Sequence, residues 1–364
     1  MTSIWRELRG NPLPWLLPFV PIVLVAGHGV QQGGTALFFL SILAILPLAA
    51  LLSRATEAAA ARLGDTVGGL LNATLGNLTE LVIAITALSA GEYMLVKASI
   101  AGTIVTNILF ILGGSLLLGG LRHRTQRFNV AATRLQAGQL FLVMIVLSIP
   151  SAVSLGDAET GAFVQDLSLV LAFILIGTYI LGLVFSLGTH REFFSTPHHE
   201  EAGEEQAWSL PISIIVLGCV ALLVALVSEI FVGSVQTAAE EIGLSDAFIG
   251  FIVVALVGGA AETATAFSAA RKNRLDLSIG IALGSATQIA LFVAPVLVLA
   301  SYFLGPSPMD LRFWTGALAM MMFATLTAAF ITNGGRSAWF VGVLVLAVYA
   351  TFASALYLLP PQAT

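Results

Sequence analysis

Two glutamates stand out because everything around them is apolar. Glu80 sits in Leu75-Gly76-Asn77-Leu78-Thr79-Glu80, and Glu262 sits in Val257-Gly258-Gly259-Ala260-Ala261-Glu262. Each falls deep within a stretch long enough to cross a bilayer. Glu229 lies near the end of another such stretch, and Asp166 marks a boundary. Ionisable groups inside a bilayer are costly, and those that persist face a cavity or a partner. The next apolar stretch in each case adds oxygen-bearing groups: Thr103, Thr106 and Asn107 after Glu80, and Ser285, Thr287 and Gln288 after Glu262. The outcome is an oxygen-only set of two carboxylates with amide and hydroxyl helpers. Hard cations such as calcium take that kind of ligand set, whereas no histidine or cysteine is placed to favour zinc or copper. Two protons neutralise the same two carboxylates that one divalent cation neutralises, and a close pair titrates as a unit. An intramembrane enzyme would need a nucleophile with its base, or an aspartate pair, and the deep stretches hold no aspartate and no histidine. A passive channel would show flux without countertransport.

The rest of the composition agrees with a membrane setting. Of 364 residues, 58% are hydrophobic and 10% are charged, with a mean hydropathy of +0.97. A soluble chain carries about 25% charged residues, so most of this surface faces lipid. The net charge of −5 is small, and the one cysteine excludes an internal disulfide framework. No basic patch with interleaved aromatics supports nucleic-acid binding. The N-terminal MTSIWRELRGNPLPW lacks a short apolar core followed by a cleavage site and reads as retained.

A helix needs about 20 apolar residues to cross a hydrocarbon core. On that measure the chain is an all-α polytopic membrane protein with eleven transmembrane helices, at about 13–28, 35–53, 67–90, 96–120, 136–155, 166–187, 210–232, 247–269, 277–303, 312–331 and 337–359. With the N-terminus in the cytoplasm, thirteen of the fifteen lysines and arginines fall on the cytoplasmic side, and only Lys97 and Arg312 fall outside. That bias sets orientation and places the C-terminus outside. A prokaryotic plasma (inner) membrane is the expected location.

The second half repeats the first. Shifted back by 182 residues, Glu262 falls on Glu80, Gly250 on Gly68, Gly258 on Gly76, Leu277 on Leu95 and Gly284 on Gly102. Glu80 and Glu262 lie in spans that cross in opposite directions, so the two copies are inverted, a recurring transporter plan with the site at the repeat interface. The expected organisation is an N-terminus and leading helix (1–34), a five-helix repeat (35–187), an acidic cytoplasmic linker (188–209) and a second five-helix repeat (210–364). The linker holds His198, His199, Glu200, Glu201, Glu204 and Glu205 and reads as a solvated acidic segment.

The repeat motifs resemble those of the calcium/proton exchanger family within the calcium/cation antiporter superfamily. The family pattern GNxxEL followed by GxxxSN is similar to Gly76-Asn77-Leu78-Thr79-Glu80-Leu81 and Gly102-Thr103-Ile104-Val105-Thr106-Asn107. Its GNAAEH and KNxLDxSxGxALGSATQI are similar to Gly258-Gly259-Ala260-Ala261-Glu262-Thr263, Lys272-Asn273-Arg274-Leu275-Asp276 and Ala282-Leu283-Gly284-Ser285-Ala286-Thr287-Gln288-Ile289. The resemblance implies a secondary antiporter, not an enzyme, that needs no cofactor and exchanges calcium for protons across the lipid bilayer. It implies that Glu80 and Glu262 bind calcium and protons alternately, with Asn107 and Gln288 assisting at the metal. Asn77, Thr106, Ser285 and Glu229 are secondary candidates. The chain has Gly259 where the family has asparagine and Thr263 where it has histidine. Those departures bear on ion choice, and a sodium-coupled or manganese exchanger is the alternative.

Overall fold

The computed structural model describes residues 13–29, 34–153, 161–189 and 208–359. A backbone in hydrocarbon must satisfy its own N–H and C=O groups, which a helix does locally, and the described chain is helical almost throughout. A 3₁₀ turn, Leu13–Leu16, leads into α1 (Phe19–Gly29). There follow α2 (Thr35–Leu63), the bent pair α3 (Asp65–Leu75) and α4 (Leu78–Ser89), and α5 (Tyr93–His123). Strand β1 (Thr125–Arg127), α6 (Val130–Val153) and α7 (Gly161–Thr189) complete the first half. Most of the expected acidic linker, residues 190–207, lies outside the described residues. The second half comprises α8 (Leu210–Ile242), the bent pair α9 (Asp246–Gly258) and α10 (Ala260–Arg271), α11 (Leu275–Leu304), α12 (Thr315–Ile331), strand β2 (Arg336–Ala338) and α13 (Trp339–Leu358).

Among the described residues, seven helices are each long and apolar enough to cross a membrane: α2, α5, α6, α7, α8, α11 and α13. The two bent pairs bring this to nine, with bends of 40° between α3 and α4 and 58° between α9 and α10. Leu13–Gly27 and α12 are apolar but shorter. The helices expected at 35–53 and 210–232 run on to Leu63 and Ile242. The first continuation is alanine-rich and the second carries alanine, glutamine and glutamate, all of which favour helix, and each stops only at a glycine with positive φ, Gly64 (76°) and Gly243 (74°). The all-helical expectation needs one amendment. The α5–α6 and α12–α13 loops pair as a two-stranded antiparallel ribbon, with Gln126 opposite Ser337, because both loops leave the same end of the bundle.

The core is built around α5 and α11. Their apolar windows are 78% and 72% buried, against 22% for α8 and α13, which leaves those outer helices to face lipid. α2 lies along α8, with Phe38 stacked on Phe231 at 5.3 Å. α4 packs on α8 and on the end of α11, while α10 packs on α2 and on the end of α5. α6 packs on α12, α7 on α11, and α13 on α5.

The two ends of the bundle are built differently. At the end carrying Lys97 and Arg312, the 305–314 loop is bolted to the helices. Backbone N–H groups of Met309, Leu311 and Phe313 donate to the hydroxyls of Ser301 (2.7 Å), Ser168 (2.9 Å) and Ser151 (2.9 Å). Lys97 pairs with Asp310 there. At the end carrying Arg54, Arg62, Arg271, Lys272 and Arg274, a cavity runs inward.

Candidate cation site

Glu80 and Glu262 occupy the same kind of position. Each is the third residue of a helix that restarts after a break, α4 after Gly76 and Asn77, and α10 after Gly259. The first N–H groups of a helix lack intrahelical acceptors, and the dipole there favours negative charge. The breaks therefore put partial positive charge beside two carboxylates that hydrocarbon would otherwise penalise. Glycine allows the two breaks to meet: a Cβ on Gly258 would stand 2.9 Å from Glu80 Cγ.

A chain of polar groups crosses between the halves beside them. Asn107 Nδ2 donates to Ser285 Oγ at 2.8 Å, and Ser285 Oγ donates to Asn77 Oδ1 at 2.6 Å. Asn77 Nδ2 in turn donates to Gln288 Oε1. Each of these donor atoms makes a bond within the chain, and nearby oxygens are left over. Both Glu80 oxygens, Glu262 Oε2 and Asn107 Oδ1 are buried and accept no hydrogen bond among the described residues. Asn107 Oδ1 and Glu80 Oε1 both lie within 4.0 Å of where a Gly259 Cβ would stand. Such a group of buried acceptors without protein donors is suited to a cation, to protons or to ordered water, since each unsatisfied group costs about 1–3 kcal/mol and more when charged. π-helical turns adjoin the site at Thr106–Ile111 and Ile289–Val293, a distortion found frequently at functional positions.

The surroundings of the two carboxylates differ. Glu262 lines a cavity of about 290 Å³ with Asn77, Ser285, Gln288, Asn72, Gly76, Gly280 and Gly284. Glu80, 7% exposed, lies behind it and borders a void of about 10 Å³ with Ser99 and Thr103. Glu80, Glu262, Asn77, Asn107, Ser285 and Gln288 are thus gathered in one place. Thr106 is not among them, because its hydroxyl meets Tyr349 Oη at 3.2 Å. Glu229 is exposed on α8, well before that helix ends, and lines neither space.

Sequence reasoning missed Glu57. It lines the larger cavity with Ser53, whose hydroxyl donates to Glu57 Oε1 at 3.2 Å. The signal was available: Ser53 and Glu57 are four apart, and the helical phase of α2 continues past residue 53. Among the described residues no cluster of three or more histidine, cysteine, aspartate or glutamate side chains forms a metal-binding group. The two-carboxylate set with amide helpers is the one assembled.

Comparison with known proteins follows the same lines. The sodium/calcium exchanger protein family matches residues 33–188 and 212–358. A Ca(2+)/H(+) antiporter of Synechocystis sp. is 40% identical, with 95% of this chain and 96% of that protein covered. The Ca(2+)/H(+) antiporter ChaA of Bacillus subtilis is 38% identical over 93% of this chain and 97% of its own length. The solved structure of native YfkE superposes with a TM-score of 0.83 at 35% identity, covering 96% of this chain and all of that one. With its two matched segments spanning both bundle halves, this helical membrane protein belongs to the sodium/calcium exchanger protein family.

Proposed function

We propose that the protein is a secondary antiporter that exchanges calcium for protons, with Glu80 and Glu262 as the groups that bind both. The observation that carries this is the set of buried, unpartnered acceptor oxygens at the meeting of the two helix breaks. Relatives of nearly equal length named Ca(2+)/H(+) antiporter support it. One calcium or two protons neutralises the carboxylate pair, whereas the bare pair carries two charges into a low-dielectric core. The loaded site therefore crosses between its two access states, and the empty site resists crossing. Asn107 offers its free Oδ1 to the cation, while Asn77, Ser285 and Gln288 hold the donors away from it.

The same reading has eleven crossings, a leading helix and two inverted five-helix repeats over 35–187 and 210–364, with the N-terminus and the acidic linker cytoplasmic. Reciprocal packing supports it. α4 on α8 has its counterpart in α10 on α2, and the end of α11 on α4 and α7 has its counterpart in the end of α5 on α10 and α13. The arginine-rich end is then cytoplasmic, and the cavity at Glu262 faces the cytoplasm.

Reconstitution in proteoliposomes tests the proposal. An imposed pH gradient drives calcium uptake, calcium addition moves protons in the opposite direction, and a sodium gradient of equal size does not drive uptake. Uptake coupled to sodium, preference for manganese in competition, or flux without proton movement would overturn it.

A further inference from the structure

Resting on the exchange reading above, we infer that Tyr179 of α7 is a positioning residue for the cation site. Its hydroxyl caps the carbonyl that the first helix break sets free, and its ring braces the turn after Gln288. Asn77 and Gln288 are thereby held in place against each other.

The break at Gly76–Asn77 has given up a backbone bond that the break at Gly259 keeps. In a continuous helix the Ala73 carbonyl accepts from the N–H of the residue four further on, Asn77. Asn77 lies outside the helical conformation, with φ −104° and ψ 32°, and makes no such bond among the described residues. The register counterparts of Ala73 and Asn77, 182 residues on, are Ala255 and Gly259. There the Gly259 N–H does bond to the Ala255 carbonyl, at 3.1 Å. The partner missing at Ala73 comes from another helix: Tyr179 Oη donates to the Ala73 carbonyl oxygen at 2.6 Å. Carbonyls at a helix end need such a partner. Ala73 and Tyr179 border a largely apolar groove between α6 and α7, not the cavity at Glu262, so water is a poor substitute for the hydroxyl.

The ring of the same side chain is stacked on Phe292, with centroids 5.2 Å apart. Phe292 belongs to the π-helical turn Ile289–Val293, which begins directly after Gln288. One buried side chain of α7 therefore touches α3 just before Asn77 and α11 just after Gln288. Asn77 Nδ2 donates to Gln288 Oε1 between those two supports, and Asn77 Oδ1 accepts from Ser285 beside them. Tyr179 lines neither space at the carboxylates, so it acts through Asn77 and Gln288.

The other half of the molecule holds a matched tyrosine. Phe110 stands 182 residues before Phe292, and Tyr349 of α13 lies against it at 5.4 Å. The ring pair is repeated, but the hydroxyl has a different partner. Tyr349 Oη meets the Thr106 hydroxyl at 3.2 Å. Thr106 can turn to a carbonyl of its own helix instead, as Thr287 does to Leu283 at 2.8 Å. Of the two tyrosines, only Tyr179 leaves a backbone carbonyl stranded at a helix break when its hydroxyl is lost.

The test compares two substitutions that each remove one hydroxyl and keep the ring, Tyr179→Phe and Tyr349→Phe, in the full-length protein. Calcium binding is titrated in detergent, and calcium uptake against a pH gradient is followed in proteoliposomes. Tyr179→Phe is expected to weaken calcium about fivefold in both measurements, the scale of one net hydrogen bond, with turnover close to that of the parent. In an Asn77→Ala background the same change adds no further loss, because the side chain it positions is gone. Replacing Tyr179 by p-aminophenylalanine, which keeps a donor at the same place, restores the parent's affinity, and Tyr349→Phe binds calcium as the parent does. Unchanged affinity in Tyr179→Phe, equal weakening by Tyr349→Phe, or a full further loss in the Asn77→Ala background overturns the assignment. So does a Tyr179→Phe protein that fails to fold while the p-aminophenylalanine protein folds, since the hydroxyl then serves folding alone. If the pattern appears in calcium binding but the parent moves no protons against calcium, the positioning role stands and the exchange reading falls.

Discussion

The two helix breaks hold their glutamates alike and are secured differently. The first, at Gly76–Asn77, is tied across the molecule: Asn77 accepts from Ser285 and donates to Gln288. The second, at Gly258–Gly259, offers no side chain at the equivalent point. Its space is taken by Glu80 and by the free Oδ1 of Asn107. The tied break lines the 290 Å³ cavity, and the untied one packs against Glu80 and Asn107. The two frames are similar, and one difference between them, Asn77 against Gly259, gives one half an amide network and leaves the other half acceptor-rich.

The largest expected effect tests what the halves share. Glu80→Gln and Glu262→Gln each keep size but remove a charge and a proton-binding group, so each should abolish calcium-driven proton movement. Glu→Asp at either position should leave weak residual activity. If one glutamine variant retained robust exchange, the carboxylates would not be equivalent partners, and the comparison would fail at its centre. In the unaltered protein, lowering pH on the calcium-loading side should raise the half-saturating calcium concentration by direct competition.

The next effect concerns the tie. Asn77→Ala strands Ser285 and Gln288, and a buried polar group without a partner costs about 1–3 kcal/mol. Half-saturating calcium should rise about tenfold or more, at about 1.4 kcal/mol per tenfold, with turnover less affected. Asn107→Ala should act in the same direction because it removes the free acceptor. Unchanged affinity in both variants, read from uptake against calcium concentration, would reduce the network to helix packing. The converse substitution, Gly259→Asn, places an amide beside Asn107 Oδ1, 3.7 Å from the new Cβ. It should shift selectivity among calcium, manganese and sodium severalfold in competition assays, and an unaltered selectivity order would show that the missing tie is silent.

Smaller effects distinguish the cavity from its surroundings. Glu57→Gln, inside the cavity, should slow calcium loading more at low ionic strength than at high, as an entry charge does. Glu229→Gln, exposed on α8, should match the parent in the same assay. The smallest effect lies at the sealed end. Burial first, then the nearby Asp246, pushes the Glu92 carboxyl above its ordinary range, against the opposing hydrogen bond from Gln236. A raised carboxyl in the folded state means that stability falls as pH climbs through the carboxylate range and recovers on acidification. Glu92→Gln should flatten that part of a melting-temperature profile slightly, since most of the carboxyl remains solvated.

Composition, the bilayer ruler and the 182-residue register made much of this protein legible in one dimension. They located the apolar helices, the repeated motifs, the two buried glutamates and the neighbouring Asn77, Asn107, Ser285 and Gln288. These follow from rules local in sequence: an apolar helix satisfies its own backbone, and a carboxylate deep within one is conspicuous. The helix ends were less legible, because residues that favour helix carry α2 and α8 onward until a positive-φ glycine stops them. Tertiary structure alone decided that Thr106 turns to Tyr349, that Glu57 joins the cavity of Glu262, and that Glu80 and Glu262 face spaces of about 10 and 290 Å³. It also decided that Gly102 and Gly250 meet a neighbouring backbone whereas Gly280 and Gly284 stand open. The reason is physical: a helical glycine carries the same local preference wherever it stands, and only the packing of α9 against α5, with α3 held against α2 and α7, sets which glycines meet a neighbour.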